Sequence, residues 1–167
     1  ATGDIDFEDN NTNPEVTAMY RLTDRINLFA AYKTGYKAGG SDNSALPNAS
    51  LGQAAANDDF SPLIFDTEEG DGFEIGMKGR VLDGTLRFDA TAFRYVYDDL
   101  QVQTFNSTTI QFNTENAGEL TSQGVEANFN WKPPVDGLAV NGSFSFLDAE
   151  FTDTFRPESP PGVTDPA

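Results

Sequence analysis

The chain has 167 residues, with 10 basic and 27 acidic side chains, a formal net charge of −17, and neither histidine nor cysteine. A charge this negative excludes a nucleic-acid partner, because such binding draws its affinity from Lys and Arg that neutralise phosphates. The lack of Cys and His removes thiol nucleophiles, disulfides and the common zinc sites. We therefore expect no enzyme: no catalytic residue, no metal site and no cofactor are predicted.

Two-residue alternation of apolar and polar side chains dominates the chain and predicts strands. In chain order, the strands are expected at about 16–22, 26–36, 72–81, 85–105, 109–132 and 138–152. No window of about 18 apolar residues occurs, so no transmembrane helix is predicted. The opening residues lack the basic and apolar regions of a signal peptide, and we interpret the sequence as a fragment of a longer protein.

The links between these strands predict how they connect. Short turns are expected at 23–25, 82–84 and 133–137, where Asp-Gly steps supply the positive φ of tight hairpins. Long polar loops are expected at about 37–71 and 105–121 on the other side. Short turns on one side with long loops on the other are typical of outer-membrane barrels. The predicted fold is all-β: an antiparallel up-and-down transmembrane β-barrel, present as an incomplete run of roughly six to eight strands in an open curved sheet.

The two faces of these strands differ in chemistry, as expected if one meets lipid and the other an aqueous lumen. Charged residues on the polar face are the lumen-facing candidates, namely Lys78, Arg80, Arg87, Asp89 and Glu126. Aromatic residues on the apolar face are candidates for an interfacial girdle, namely Tyr20, Tyr32, Phe73, Trp131, Phe144 and Phe146. A soluble β-sandwich with one solvated face remains open as an alternative.

Several motifs in order along the chain resemble the C-terminal half of the barrel of TonB-dependent outer-membrane receptors. Residues 32–40 resemble a strand end that leads into a large loop, and 73–78 resemble an E-x-G-x-K strand followed by an L-D-G-x-L turn at 82–86. Residues 97–103 resemble a Y-x-D-L-Q stretch, and 116–118 with 124–126 resemble an N-A-G and G-V-E pair. Residues 147–151 resemble the end of the next strand.

The resemblance implies a function as well as a fold. It implies a barrel of about 22 strands with a plugged lumen, in the outer membrane of a Gram-negative bacterium. It also implies energised uptake of a scarce nutrient, most often a ferric siderophore but in some members cobalamin, haem or a glycan. The implied partners are outer-membrane lipid, a plug domain, the remaining strands, the TonB complex and the ligand. Residues 1–167 lack a plug and a TonB box, so this chain by itself is expected to transport nothing.

Three further features allow more than one interpretation. The acidic long loop suits either a solvated surface or a calcium site; its acids are Asp42, Asp58, Asp59, Asp66, Glu68, Glu69 and Asp71. Phe93, Tyr95 and Tyr97 take the parity of the polar residues and suit ligand contact, a girdle or strand packing. Lys78, Arg80 and Arg87 suit an anionic ligand, plug carboxylates or cross-strand ion pairs. A passive porin and a soluble β-sandwich binding module are the alternative functions.

Overall fold

The computed structural model describes residues 9–41, 64–106 and 111–152. Its strands are β1 Glu15–Thr23, β2 Ile26–Lys37, β3 Gly40–Ser41, β4 Ile64–Phe65, β5 Glu68–Val81, β6 Leu86–Asp98, β7 Gln101–Asn106, β8 Gln111–Asn116, β9 Leu120–Trp131 and β10 Val140–Phe151. Six of these strands form one antiparallel sheet in the order β1-β2-β5-β6-β9-β10, while β3–β4 and β7–β8 form separate pairs. Within the described ranges, no helix combines the length and the apolar character that crossing a membrane requires.

The pairing register gives the six-stranded sheet two chemically distinct faces. Directly paired residues share a face, and alternate residues of each strand point to opposite faces. We call one side the apolar face. One row across it is Tyr20, Leu28, Met77, Ala90, Ala127 and Phe144. The next row is Ala18, Ala30, Ile75, Ala92, Val125 and Phe146.

The opposite side is the polar face. One row across it is Arg21, Asn27, Lys78, Asp89, Asn128 and Ser143. The alternation in the sequence therefore extends into two continuous surfaces, because the register keeps like residues on one side from strand to strand.

The apolar face has no protein packed against it in the part of the chain that the structure describes. Tyr20, Ile75 and Phe144 are 66%, 65% and 61% exposed, and the buried apolar residues among those described are Ala31 and Ala117. A β-sandwich would bury Phe129, Trp131, Phe144 and Phe146 between two sheets, yet all four are exposed. The predicted fold class, an antiparallel sheet left open rather than closed on itself, is confirmed.

The connections divide by length between the two ends of the sheet. At one end, the turn side, residues 24–25, 82–85 and 132–139 join neighbouring strands. Asp83, Gly84 and Gly137 take positive φ values of 54°, 87° and 76°, which tight turns require and glycine adopts at low cost. At the other end, the loop side, long segments follow Lys37 and Asp98.

Two predicted strands and both predicted loops differ from the structure. The predicted loop 105–121 contains β8 and the first residues of β9, because the chain pairs there as the β7–β8 hairpin. The predicted strand 85–105 is two strands, β6 and β7, separated at Asp99, whose φ of 53° ends the extended run. The predicted strand 109–132 is likewise divided into β8 and β9. The predicted loop 37–71 is shorter than expected, because β5 begins at Glu68 to pair with Lys37. The backbone N–H of Ala117 donates to Leu100 at 2.7 Å, so the β7–β8 hairpin continues from β6 and β9.

Candidate functional site

A carboxylate on the polar face joins three strands near the loop side. Glu74 of β5 accepts a hydrogen bond from the ammonium of Lys33 on β2 at 2.9 Å, and another from the phenol of Tyr95 on β6. The same Oε1 atom accepts both bonds. The Lys33 and Glu74 side chains are 37% and 20% exposed, so the pair is partly shielded from water. Two donors from different strands therefore fix the carboxylate, which positions Lys33 and Tyr95 relative to each other.

The aromatic residues Phe93, Tyr95 and Tyr97 form a ladder along the polar face of β6. Ring centroids are 6.1 Å apart between the first two and 6.4 Å between the last two. Tyr95 lies over Gly72 and Tyr97 over Gly70 of the adjacent strand, where a larger side chain would clash with the rings. The β5–β6 register continues without a bulge through this region. The three aromatic residues therefore lie on the same face as the charged residues nearer the turn side, and the polar face becomes aromatic toward the loop side.

A cavity of about 280 Å³ opens beside this ladder on the loop side. Lys33, Lys37, Glu68, Tyr95 and Tyr97 contribute to its lining. Because Lys33 is already paired with Glu74, the recess offers a ligand the Lys37 ammonium and two phenol rings. This combination suits a ligand that carries both negative charge and planar rings, since ammonium groups pair with anions and aromatic faces stack on flat groups.

Two amides that sequence reasoning missed hold the bases of the long loops together on the loop side of the sheet. The Gln101 amide nitrogen donates to the carbonyl oxygens of Lys37, Ala38 and Asp66 at 3.2, 3.0 and 3.0 Å. The side-chain amide of Asn116 donates to the carbonyl oxygen of Asp66 at 3.0 Å. The same amide accepts a hydrogen bond from the backbone N–H of Asp66 at 2.7 Å. These bonds tie the loop between β2 and β5 to the β7–β8 hairpin. Gln101 and Asn116 lie in segments 97–103 and 116–118, which resemble family motifs. That resemblance was the signal in the sequence that could have identified them.

The five lumen-facing candidates all lie on the polar face, nearer the turn side. Lys78 is paired with Asp89 in the register, and Arg80 with Arg87. Four of the five share a groove of about 740 Å³, whereas Glu126 lies in the next row.

Within the described residues, none of these five charges forms an ion pair with another. Asp89 accepts a hydrogen bond from Asn128 at 2.9 Å, and the Lys78 ammonium lies 6.0 Å from the ring centroid of Phe29. In the described part of the chain, the ion pairs within 4.0 Å are Arg25–Asp83 and Lys33–Glu74. The cross-strand ion pairs of Lys78 and Arg80 with Asp89 or Glu126, one of the three alternatives that the sequence left open, are therefore not formed there.

The six girdle candidates all lie on the apolar face. Tyr32 and Phe73 are directly paired, with ring centroids 4.8 Å apart at a tilt of 41°. Trp131 ends its strand at the turn side, opposite Leu86 and Val140. Aromatic pairs of this kind add about 0.5–1.5 kcal/mol beyond the area they bury.

Acidic side chains occupy the loop-side end of the apolar face, beyond the apolar rows. Asp98 is paired with Glu69, and Asp71 lies two residues further along the same strand. Asp98 is exposed, yet partial loss of hydration, together with the nearby carboxylates of Glu119 and Asp71, raises its pKa above the ordinary value of 3.8. Part of the acidic loop, including Asp42, Asp58 and Asp59, lies outside the described residues, and no group of acids within those residues is arranged to hold a metal ion.

A sheet with one exposed apolar face and one polar face defines a segment of the wall of a membrane β-barrel. Residues 1–165 match the family model described as TonB dependent receptor-like, beta-barrel, and the chain belongs to this family. It is a family of transport receptors whose barrels lie in the outer membrane of Gram-negative bacteria. The sequence-based identification of the family is thus confirmed.

Individual relatives agree with this assignment. The chain is 29% identical over 139 residues to the metal-pseudopaline receptor CntO of Pseudomonas aeruginosa. The matched segment covers 83% of this chain and 17% of that receptor. The chain is 34% identical over 85 residues to the catecholate siderophore receptor Fiu of Escherichia coli, covering 51% of this chain and 10% of Fiu. The crystal structure of the ferric yersiniabactin uptake receptor FyuA from Yersinia pestis superposes with a TM-score of 0.62 at 25% identity, covering 83% of this chain and 18% of FyuA. The chain thus spans about a fifth or less of the length of these receptors.

Proposed function

We propose that this chain forms part of the barrel wall of an outer-membrane receptor that takes up a ferric siderophore with energy from the TonB complex. The observation that carries the proposal is the uncovered apolar face of the six-stranded sheet, opposite a face lined with charges and aromatic rings. In hydrocarbon every backbone polar group needs an internal partner, and a sheet meets this need when further strands close it into a barrel. The apolar face then contacts outer-membrane lipid, and the polar face lines the lumen.

The loop-side cavity is our proposed contact for the ligand. Lys37 and Tyr97 have the chemistry to recognise a ferric siderophore, which combines charged or planar metal-binding groups in one molecule. The similarity to CntO, a metal-pseudopaline receptor, and to Fiu, a catecholate siderophore receptor, supports this ligand class. The Lys33, Glu74 and Tyr95 contact supplies a rigid base for the cavity, because its bonds link three strands.

The turn-side groove is our proposed contact for the plug domain, which a further part of the polypeptide supplies. Arg80 and Arg87 are directly paired across the sheet, and like charges in that position repel. An acidic plug segment between them converts the repulsion into two favourable contacts. Lys78 and Asp89 lie in the next row and Glu126 in the row beyond it, and they provide further polar contacts for the plug.

The proposed function is tested with the complete coding sequence that contains this chain, in a strain deleted for the native copy. We expect uptake of radiolabelled iron from one of a panel of ferric siderophores, and loss of that uptake when TonB is deleted. Uptake that persists without TonB would favour the passive porin. A protein recovered from buffer without detergent would favour a soluble binding module.

The ligand contact has its own variants. We expect Tyr97→Ala and Lys37→Ala to weaken siderophore binding about tenfold each, since one lost stacking or charged contact is worth roughly 1–2 kcal/mol. Lys132→Ala is the matched control, because Lys132 is an exposed lysine beyond the turn-side end of β9. Equal binding by Tyr97→Ala and the control would show that the ligand does not contact this cavity.

A further inference from the structure

The apolar face carries a groove across its centre, between β1, β2, β5 and β6. Two cavities of about 500 and 530 Å³ adjoin one another there and share the lining residues Ala18, Ala30, Ile75 and Ala92. The groove exists because three of these four side chains are methyl groups, while larger side chains stand in the neighbouring rows. It is formed entirely by neighbouring strands of the sheet, so closure of the barrel elsewhere does not alter its walls.

A cationic side chain lies at the loop-side end of this groove. Arg94 lines the second cavity and is paired with Phe73 and Gln123. Among the strand positions on the apolar face that the structure describes, Arg94 is the only one with a basic side chain.

Arg94 has no carboxylate within ion-pair distance in the described residues. Asp148, the acid in the same row, instead accepts a hydrogen bond from the Gln123 amide at 3.2 Å. A guanidinium group that points away from the lumen, at the level where apolar residues end, is placed to bind an anion in the lipid headgroup region.

We propose that this groove binds one acyl chain of a phosphate-bearing glycolipid of the lipid A class, with its phosphate on Arg94. The inference rests on the proposed placement of the apolar face in the membrane. Long loops mark the extracellular side of outer-membrane barrels, so Arg94 lies at the outer leaflet, where this glycolipid resides. The planar guanidinium binds a phosphate through two parallel N–H bonds, while the methyl-lined groove takes the chain. A free anion would pair with Arg94 but leave the apolar groove empty. An uncharged lipid would fill the groove but leave Arg94 without an anion.

The test uses the complete receptor in nanodiscs of phosphatidylcholine that contain a small fraction of lipid A, with bound lipid counted by native mass spectrometry. We expect the wild type to retain one lipid A, and Arg94→Gln to lower its occupancy at least fivefold. Arg21→Gln is the matched control, because it makes the same change on the polar face of the sheet, at a residue outside the proposed ligand and plug contacts. Ala92→Phe fills the groove and is expected to displace the lipid while Arg94 remains.

The competing outcomes are distinguishable. Equal occupancy in Arg94→Gln and Arg21→Gln overturns the lipid site and leaves the uptake function standing if siderophore transport continues. Equal retention of phosphatidylglycerol, or of lipid A without phosphates, overturns the assignment to this glycolipid class. A receptor that does not enter nanodiscs at all overturns both the site and the proposed membrane function.

Discussion

The assignment of the two faces is tested most directly by placing one charge on each side of the same strand. Ala90 and Thr91 are consecutive residues of β6, with Ala90 on the apolar face and Thr91 on the polar face. Arg94, four residues along, marks the level where polar groups begin on the apolar face. With a rise of about 3.3 Å per residue and a tilt of about 40°, Ala90 lies roughly 10 Å deeper, near the middle of an apolar band about 25 Å tall.

An arginine at that depth costs about 2–4 kcal/mol, because its charge loses water without gaining a partner. Ala90→Arg is therefore expected to lower the folding equilibrium constant roughly 30- to 700-fold. Thr91→Arg is expected to change stability by less than about 0.5 kcal/mol, since the new side chain meets the aqueous lumen. Glu126, the residue paired with Thr91, offers it a carboxylate there.

The assay is the urea unfolding midpoint of the complete receptor in lipid vesicles, followed by intrinsic fluorescence. Ala90→Leu controls for size and is expected to leave stability unchanged or slightly higher, because it adds apolar surface in contact with lipid. A larger loss for Thr91→Arg than for Ala90→Arg would mean that the polar face meets the bilayer. That result would refute the membrane placement and the uptake function that depends on it.

Three further outcomes follow from particular contacts. Gly76→Ala is expected to lower the free energy of unfolding by about 1–3 kcal/mol in the same assay, because the new Cβ would meet a backbone oxygen at 2.5 Å and an aromatic ring at 2.6 Å. Gly35→Ala is the control and is expected to be neutral, because its Cβ would have no atom within 4 Å. A double-mutant cycle of Lys33→Met and Glu74→Gln is expected to give a coupling energy of about 0.5–1 kcal/mol, and additive effects would show that the pair contributes nothing. The raised pKa of Asp98 means that its favourable contribution is present below its ordinary value of 3.8 and is lost as pH rises through the folded-state value. Asp98→Asn is therefore expected to raise thermal stability at neutral pH and to have little effect at pH 3, and a larger gain at low pH would contradict this sign.

The chemistry of the two faces was available from the sequence because strand alternation is local. In 73–81, for example, every second residue is apolar or glycine. The strand therefore has one polar and one apolar face in any register that keeps it extended. The turns at Asp83-Gly84 and Asp136-Gly137 were predictable for the same reason, since positive φ is a property of single residues. The β6–β7 break was not, because Asp99 leaves the extended conformation without a glycine or proline to mark it.

Which side chains meet across the sheet was decided by tertiary structure. Lys33 and Glu74 are 41 residues apart, and the β2–β5 register that brings them together is set by pairings along both whole strands rather than by any local motif. The same holds for Arg80 opposite Arg87, and for the alanine groove that ends at Arg94, which requires four strands to be aligned. The sequence by itself thus determined what each face is made of, because alternation is a local property. Only the tertiary structure decided which residues form a site, because the pairing register between strands depends on contacts between residues far apart in the chain.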